Sequence, residues 1–470
     1  MDPNHGIDNN KLANLICSKN FASHQQIVEN WTLIAPGRDI GRVLVEKGIL
    51  PVSIYAKMVS YLQQTTAAHQ NTPSPRVSSP PAQTVSPVNE PVEHPADLYP
   101  LDEQKSEIAD VDDPVVSNSV SQLSCFESMF RYARSVDASD VHLSVNNPVI
   151  VRRYGVLSPV KSAVLTSGFM EAQIKAILTE EQYCTFCKNG DLECVVAIEG
   201  CGRFRVTVLK QRSGWDLTAR CIPDRIRSFE ETGMPLSCKA LTQWSQGLVL
   251  VTGSASCGKS STLATLIEMI NQTRPDHIIT LESPIEQLFE SAKSHITQRQ
   301  LGRDTLSQET ALRAALREDP DVIVVGELRD LATIQLAVSA AETGHLVFGT
   351  MNTVSASRTI YRLIDSFPPE DQSIIRNMVS ESLRGVISQQ LIPRLDGSGL
   401  VAAYEVLLVN SAVSNMIRKD EAYQLGTAMI TGKASGMQLL DDSLRMLVSQ
   451  GIISQQEVND RCVMKLSGEK

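Results

Sequence analysis

The 470-residue chain has no run of about eighteen apolar residues, so no segment is long enough to cross a bilayer as a helix. It has no basic excess. Its 53 acidic and 43 basic side chains give a formal charge of −10, which argues against a nucleic-acid-binding surface. The ten cysteines are scattered, which excludes a disulfide framework and fits a reducing compartment. The opening Met1-Asp2-Pro3-Asn4-His5-Gly6-Ile7-Asp8-Asn9-Asn10 is polar and lacks the apolar stretch of a secretory signal. The expectation is a cytoplasmic protein.

The negative charge is segregated. Residues 66–123 hold nine acids against two bases and nine of the 22 prolines, leaving the rest of the chain near neutral. Such a segment cannot bury enough apolar surface to offset its chain entropy. It reads as an extended linker, or as a Pro-rich recognition peptide. Before it, residues 8–65 carry Val43, Leu44, Ile49, Leu50, Ile54, Met58 and Leu62 at helical spacings. Gly48 stands where one helix would stop and the next begin. This unit holds nothing catalytic and reads as a docking module.

The richest stretch is Gly253-Ser254-Ala255-Ser256-Cys257-Gly258-Lys259-Ser260, followed by Ser261. It fits the phosphate-binding loop G-x-x-x-x-G-K-[ST]. An apolar run of strand length, 247–252, precedes it. Leu263, Leu266, Ile267 and Ile270 after it share one helical face. Strand, tight loop and helix set free N–H groups and a helix N-terminus against an anion. Lys259 supplies a point charge for the β- and γ-phosphates of ATP, and Ser260 a hydroxyl for Mg²⁺.

Hydrolysis also needs a carboxylate near the metal and the attacking water. Residues 322–325 form an apolar strand ending at Glu327, and 277–281 form another ending at Glu282. With 345–350 as a further strand and helices at 305–317 and 331–342, the pattern predicts a mostly parallel α/β sheet from 241 onward. Ligands bind such sheets at the carboxyl ends of their strands. The section from 355 to 470 reads as largely helical. Residues 124–240 read as an α+β domain, with clean alternation over 202–208.

Several of these segments resemble one family. The run Leu316-Arg317-Glu318-Asp319-Pro320-Asp321, continuing to Glu327-Leu328-Arg329-Asp330, resembles the signature of secretion ATPases, which drive type II secretion and type IV pili. Ala340-Ala341-Glu342-Thr343-Gly344-His345-Leu346-Val347-Phe348-Gly349-Thr350 is similar to the family's histidine box. Leu281-Glu282-Ser283-Pro284-Ile285-Glu286 is similar to its aspartate box. Ala138-Ser139-Asp140-Val141-His142-Leu143-Ser144 and Ser380-Glu381-Ser382-Leu383-Arg384-Gly385-Val386-Ile387-Ser388-Gln389 resemble the pilus retraction branch, and 413–418 do so in part. Residues 8–65 instead resemble the N-terminal domain of the type II secretion and pilus extension branch.

The resemblance implies a RecA-like motor core at 241–390, a PAS-like α+β domain at 124–240 and a helical C-terminal region at 391–470. It implies catalytic roles for Glu327, Glu282 and His345, with Mg²⁺ on Ser260 and, through water, on Glu327. It implies a homo-oligomeric ring, typically a hexamer, with an inner-membrane platform protein as partner. Arg203, Arg205 and Arg220 are candidates to reach a neighbouring subunit's phosphates. The wet face of a strand explains them equally.

Four positions depart from the family pattern. Ser283 stands where Asp is usual and Asn352 where a second His is usual. Ser254 and Ser256 replace the frequent Pro and Gly of the loop. Asn352 can donate a hydrogen bond but cannot carry a proton or charge. A slow ATPase is the expectation. A regulatory paralogue that joins a second, active ATPase is the alternative, and a nucleic-acid translocase is disfavoured by the near-neutral folded parts. Zinc is not expected, because Cys184 and Cys187 lie on a helix and Cys194 and Cys201 have the wrong spacing. Cys257 is either a thiol activated by the helix N-terminus or packing filler.

Overall fold

A computed structural model describes residues 123–462 throughout and, before them, residues 16, 40–52, 54–56 and 59. The chain separates into two units, Met1–Ser106 and Glu107–Lys470. In the first, the helix Ile40–Glu46 buries Ile40, Val43 and Leu44. The chain then turns at Gly48, whose φ of +71° lies in the left-handed region that only glycine enters cheaply. Met58, Leu62 and the linker expected at 66–123, apart from its last residue, lie outside the described residues.

The second unit carries two sheets. The first has six strands: β1 (Asp140–Leu143), β2 (Ile150–Arg153), β3 (Val156–Pro159), β4 (Asp191–Ile198), β5 (Gly202–Gln211) and β6 (Gly214–Cys221). They are antiparallel throughout, in the order β3-β2-β1-β6-β5-β4. Phe204, Val206 and Val208 of β5 face a core shared with the helices Phe126–Ser135 and Ser167–Ile177. The rings of Phe130 and Phe204 stack 4.8 Å apart. The period of two leaves Arg203 and Arg205 on the opposite face.

The second sheet has seven strands: β7 (Gly247–Thr252), β8 (His277–Glu282), β9 (His295–Gln300), β10 (Val322–Val325), β11 (Leu346–Met351), β12 (Leu383–Pro393) and β13 (Leu400–Leu408). Their order is β13-β12-β7-β11-β10-β8-β9, and every pair except β12–β13 is parallel. Strands β7, β10 and β11 are buried at every residue. Leu248 and Leu250 pack into one cluster with helices Leu331–Glu342 and Ala356–Asp365, while Val249 and Val251 pack into another with helix Lys259–Thr273. Helices on both faces are what makes these strands continuous apolar runs rather than alternating ones.

The section expected to be helical from 355 contains β12 and β13. The segment Leu383–Pro393 crosses the expected boundary at 390 and is largely buried, with Gly385 inside it. Leu383, Val386, Ile387 and Leu391 fall at helical spacings there, and Ser388, Gln389 and Gln390 break any strand alternation. β13 is the antiparallel return of that strand, and helix Leu440–Ser449 packs against this end of the sheet.

Candidate functional site

Strand β7 delivers the chain into the loop at residue 253, and the loop's geometry is built on glycines. At Gly253 (φ +147°) an added Cβ would run into the Cys257 sulfur and lie 2.5 Å from the Gln389 carbonyl oxygen. At Gly258 (φ +91°) it would lie 2.9 Å from Gln389 Nε2. Ser256 adopts φ +63° without being glycine, a conformation that costs an L-residue roughly 1–2 kcal/mol. Gly258 caps helix Lys259–Thr273, and no side chain caps that helix. Its first N–H groups are therefore left to an anion.

Lys259 bridges the loop, its Nζ donating to the carbonyls of Gly253 (3.0 Å) and Ser254 (2.7 Å). Partial burial pushes its pKa down, and Cys257 and Glu327 pull it back up. Ser260 is exposed at the start of the helix, next to half-buried Ser261. Cys257 is 4% exposed. Burial pushes its thiol up, outweighing Lys259 and the backbone N–H groups, so it behaves as packing filler rather than an activated thiol.

The parallel order β11-β10-β8 brings both glutamates to the sheet's carboxyl edge. Glu282 lines one cleft with Ser260, Gly326 and Thr350. Its carboxylate accepts from Thr280 Oγ1 at 2.7 Å and Gln298 Nε2 at 3.1 Å, and burial raises its pKa despite both bonds. Glu327 follows β10 through Gly326. Its Oε1 accepts from Asn352 Nδ2 at 2.5 Å and its Oε2 pairs with Arg329 at 2.7 Å. Thr350 Oγ1 donates to the Gly326 carbonyl at 2.6 Å, tying the ends of β10 and β11 together. Ser283 is exposed just beyond Glu282.

His345 does not join this group. It precedes β11, whose Leu346 is in register with Gly247 at the start of β7. The loop lies at the other end of these strands, about 20 Å away at roughly 3.3 Å per residue. The His345 ring instead lies with Nδ1 3.1 Å from the Ala340 carbonyl, at the end of helix Leu331–Glu342. Strand polarity therefore sets His345 apart from the phosphate loop of its own chain, unlike Glu282 and Glu327.

The three arginines are held by protein acceptors of the same chain. Arg203 donates to the carbonyls of Ile285 (2.8 Å) and Glu286 (2.5 Å), and burial lowers its pKa. Arg205 pairs with Glu193 and with Glu286 Oε1, the latter at 2.7 Å. Arg220 pairs at 2.8 Å with Asp140, which is 5% exposed. Arg203 and Arg205 thus fasten β5 to the segment that follows Glu282, whereas Arg220 is committed inside its own sheet. Cys184 and Cys187 are exposed on helix Glu180–Asn189.

Sequence reasoning missed Gln389, Arg329 and Gln298. Gln389 is the clearest. It is a buried amide between Ser388 and Gln390, and a buried polar group must find partners, but the sequence around it carries no contrast that marks it.

Residues 118–460 match the family model described as Type II/IV secretion system protein. The chain belongs to that family. The type IV pilus retraction ATPase PilT of Pseudomonas aeruginosa is 42% identical over 333 residues, 71% of this chain and 96% of that protein. A twitching motility protein of Neisseria gonorrhoeae is 41% identical over 312 residues, 66% of this chain and 83% of its own length. The crystal structure of the pilus retraction motor PilT with bound ADP aligns with a TM-score of 0.64 at 40% identity, covering 72% of this chain and 96% of that one. Within the secretion ATPases, the chain stands with the pilus retraction branch. The parallel sheet with its phosphate loop is the RecA-like ATPase fold of that branch.

Proposed function

We propose that the chain is the ATP-hydrolysing motor of a type IV pilus, working in retraction. The names of the relatives at 42% and 41% identity support retraction over secretion. The observation that carries the chemistry is the convergence of the loop, Glu282 and Glu327 on one sheet edge. The residues fit a nucleotide, since a Cβ at Gly253 or Gly258 would obstruct the loop and the helix behind it has no side-chain cap.

In this reading the loop amides and Lys259 hold the β- and γ-phosphates. Lys259 exchanges its two loop carbonyls for phosphate oxygens. Ser260, and Glu327 through water, would hold Mg²⁺, which would supply charge neutralisation at the phosphates. Glu282, with its pKa raised by burial, accepts a proton from the attacking water more readily than an ordinary carboxylate would. Arg203 and Arg205 exchange their acceptors at 285–286 for phosphates when a ring, a hexamer in the family pattern, closes around nucleotide. The motor works at the cytoplasmic side of the inner membrane on a platform protein.

Two measurements test the core. Lys259→Ala is expected to abolish MgATP uptake in calorimetry, and Glu327→Gln to bind MgATP without turning it over. Unchanged ATP affinity in Lys259→Ala removes the site from 253–260. Asn352 on Glu327, with Ser283 beside Glu282, favours a second reading, a regulatory paralogue that joins rings with an active ATPase. Wild-type turnover no greater than that of Glu327→Gln selects it.

A further inference from the structure

We propose that Gln389 is a positioning residue for the phosphate loop, fixing the peptide between Cys257 and Gly258 so that the Gly258 N–H faces the anion. This rests on the reading of 253–260 as an ATP site.

Gln389 lies in β12, beside the end of β7, and is 2% exposed. Both ends of its amide are engaged. Nε2 donates to the Cys257 carbonyl at 2.5 Å, and Oε1 accepts from Thr262 Oγ1 at 2.6 Å. Thr262 belongs to the first turn of the helix that follows the loop. Gln389 therefore joins the loop to its helix from the sheet side. A Cβ at Gly258 would meet the Gln389 side-chain amide, and one at Gly253 would meet the Cys257 sulfur and the Gln389 backbone carbonyl, so the loop packs against this position of β12 at both ends, against its side chain at the Gly258 end.

A trans peptide is planar, with its C=O and N–H pointing in opposite directions. Holding the Cys257 carbonyl toward β12 turns the Gly258 N–H away from the sheet, into the concave side of the loop. The Cys257 carbonyl fixes the amide's orientation, because reversing it would set Oε1 against that carbonyl, and the Thr262 hydroxyl, which can donate or accept, then donates to Oε1. A buried amide costs stability unless both ends are bonded. The chain keeps one here beside buried Ser388, in a strand that also buries Val386, Ile387 and Ile392 completely.

The test is MgATP binding to the full chain by calorimetry. Gln389→Met keeps similar volume and loses both bonds. Its affinity is expected to fall roughly tenfold to a hundredfold, the worth of a lost buried hydrogen bond, with the melting midpoint close to wild type. Thr262→Val, which removes only the Oε1 tether, is expected to lose less. Gln389→Glu supplies the discriminating readout. Its carboxylate puts an acceptor against the Cys257 carbonyl, while its protonated form donates there again. Its affinity relative to wild type is expected to recover as pH falls from about 8 to about 5.5, through a carboxyl pKa raised by burial. The affinities are read well below the melting midpoint at both pH values, where the chain is fully folded and a loss of stability alone leaves affinity unchanged. If Gln389→Met does not fold, Thr262→Val and Gln389→Glu carry the test. Wild-type protein that takes up no MgATP overturns the ATP-site reading and this inference together. Wild-type protein that binds, with all three variants matching it at both pH values, overturns this inference alone.

Discussion

Asn352 spends its side-chain amide on the Glu327 carboxylate and can neither carry charge nor pass a proton. Where the family pattern has histidine, this chain has a fixed neutral donor. If the proposed chemistry holds, Asn352→His restores a titratable group beside Glu327 and raises turnover about tenfold or more, the usual worth of a well-placed polar contact in the transition state. Steady-state ATPase rates of wild type and variant decide this. The same rates read against pH report the new imidazole as a limb near neutrality that wild type lacks. Most of the residues at this edge were legible in the sequence. The loop matches a fixed spacing, and Glu327 and Glu282 end apolar strands. Gln389 and Arg329 were not, because their partners lie 132 residues away in one case and depend on a side-chain direction in the other.

At the scale of elements, strand polarity decides what composition cannot. The histidine box spans β11 from end to end, so its first histidine and Asn352 sit at opposite edges of the sheet. His345→Ala is expected to leave kcat within roughly twofold of wild type while lowering stability by about 1 kcal/mol, through loss of the contact with Ala340. ATPase assays with urea melts separate the two effects. Parallel strands buried on both faces were readable as apolar runs. β12 and β13 were not, because a buried run of that length fits either element.

A second element prediction concerns Glu405 of β13, which is 7% exposed and accepts the Ala356 N–H at 2.7 Å at the start of helix Ala356–Asp365. Burial raises its pKa, and Asp441 raises it further, against that hydrogen bond. A carboxyl raised in the folded state contributes stability below the ordinary carboxylate range, and this is lost as pH rises through the folded value. Glu405→Gln keeps the accepting oxygen without the charge. It is therefore expected to match wild type near pH 4 and to be the more stable protein near pH 8, as read from denaturant midpoints.

For the whole molecule, the question is which subunit each arginine serves. Arg205 is paired with Glu286 of its own chain, and the proposed ring asks it to leave that partner for a phosphate. Lys259→Ala and Arg205→Ala are each expected to be inactive alone. Mixed before assembly, they are expected to regain part of the wild-type turnover, since some interfaces then combine an intact lysine with an intact arginine. Mixtures no more active than either parent place the arginine's work within one chain.

The hairpin β12–β13 gives the fold a mechanical consequence. One arm lies against the loop strand and carries Gln389, and the other receives helix Leu440–Ser449 through the Ser443 hydroxyl on the Tyr404 N–H. A load applied to the carboxy-terminal helices would reach loop 253–260 through this hairpin and the hydrogen bonds at its two ends, so under the proposed function tension on those helices and occupancy of the nucleotide would be two readings of one displacement.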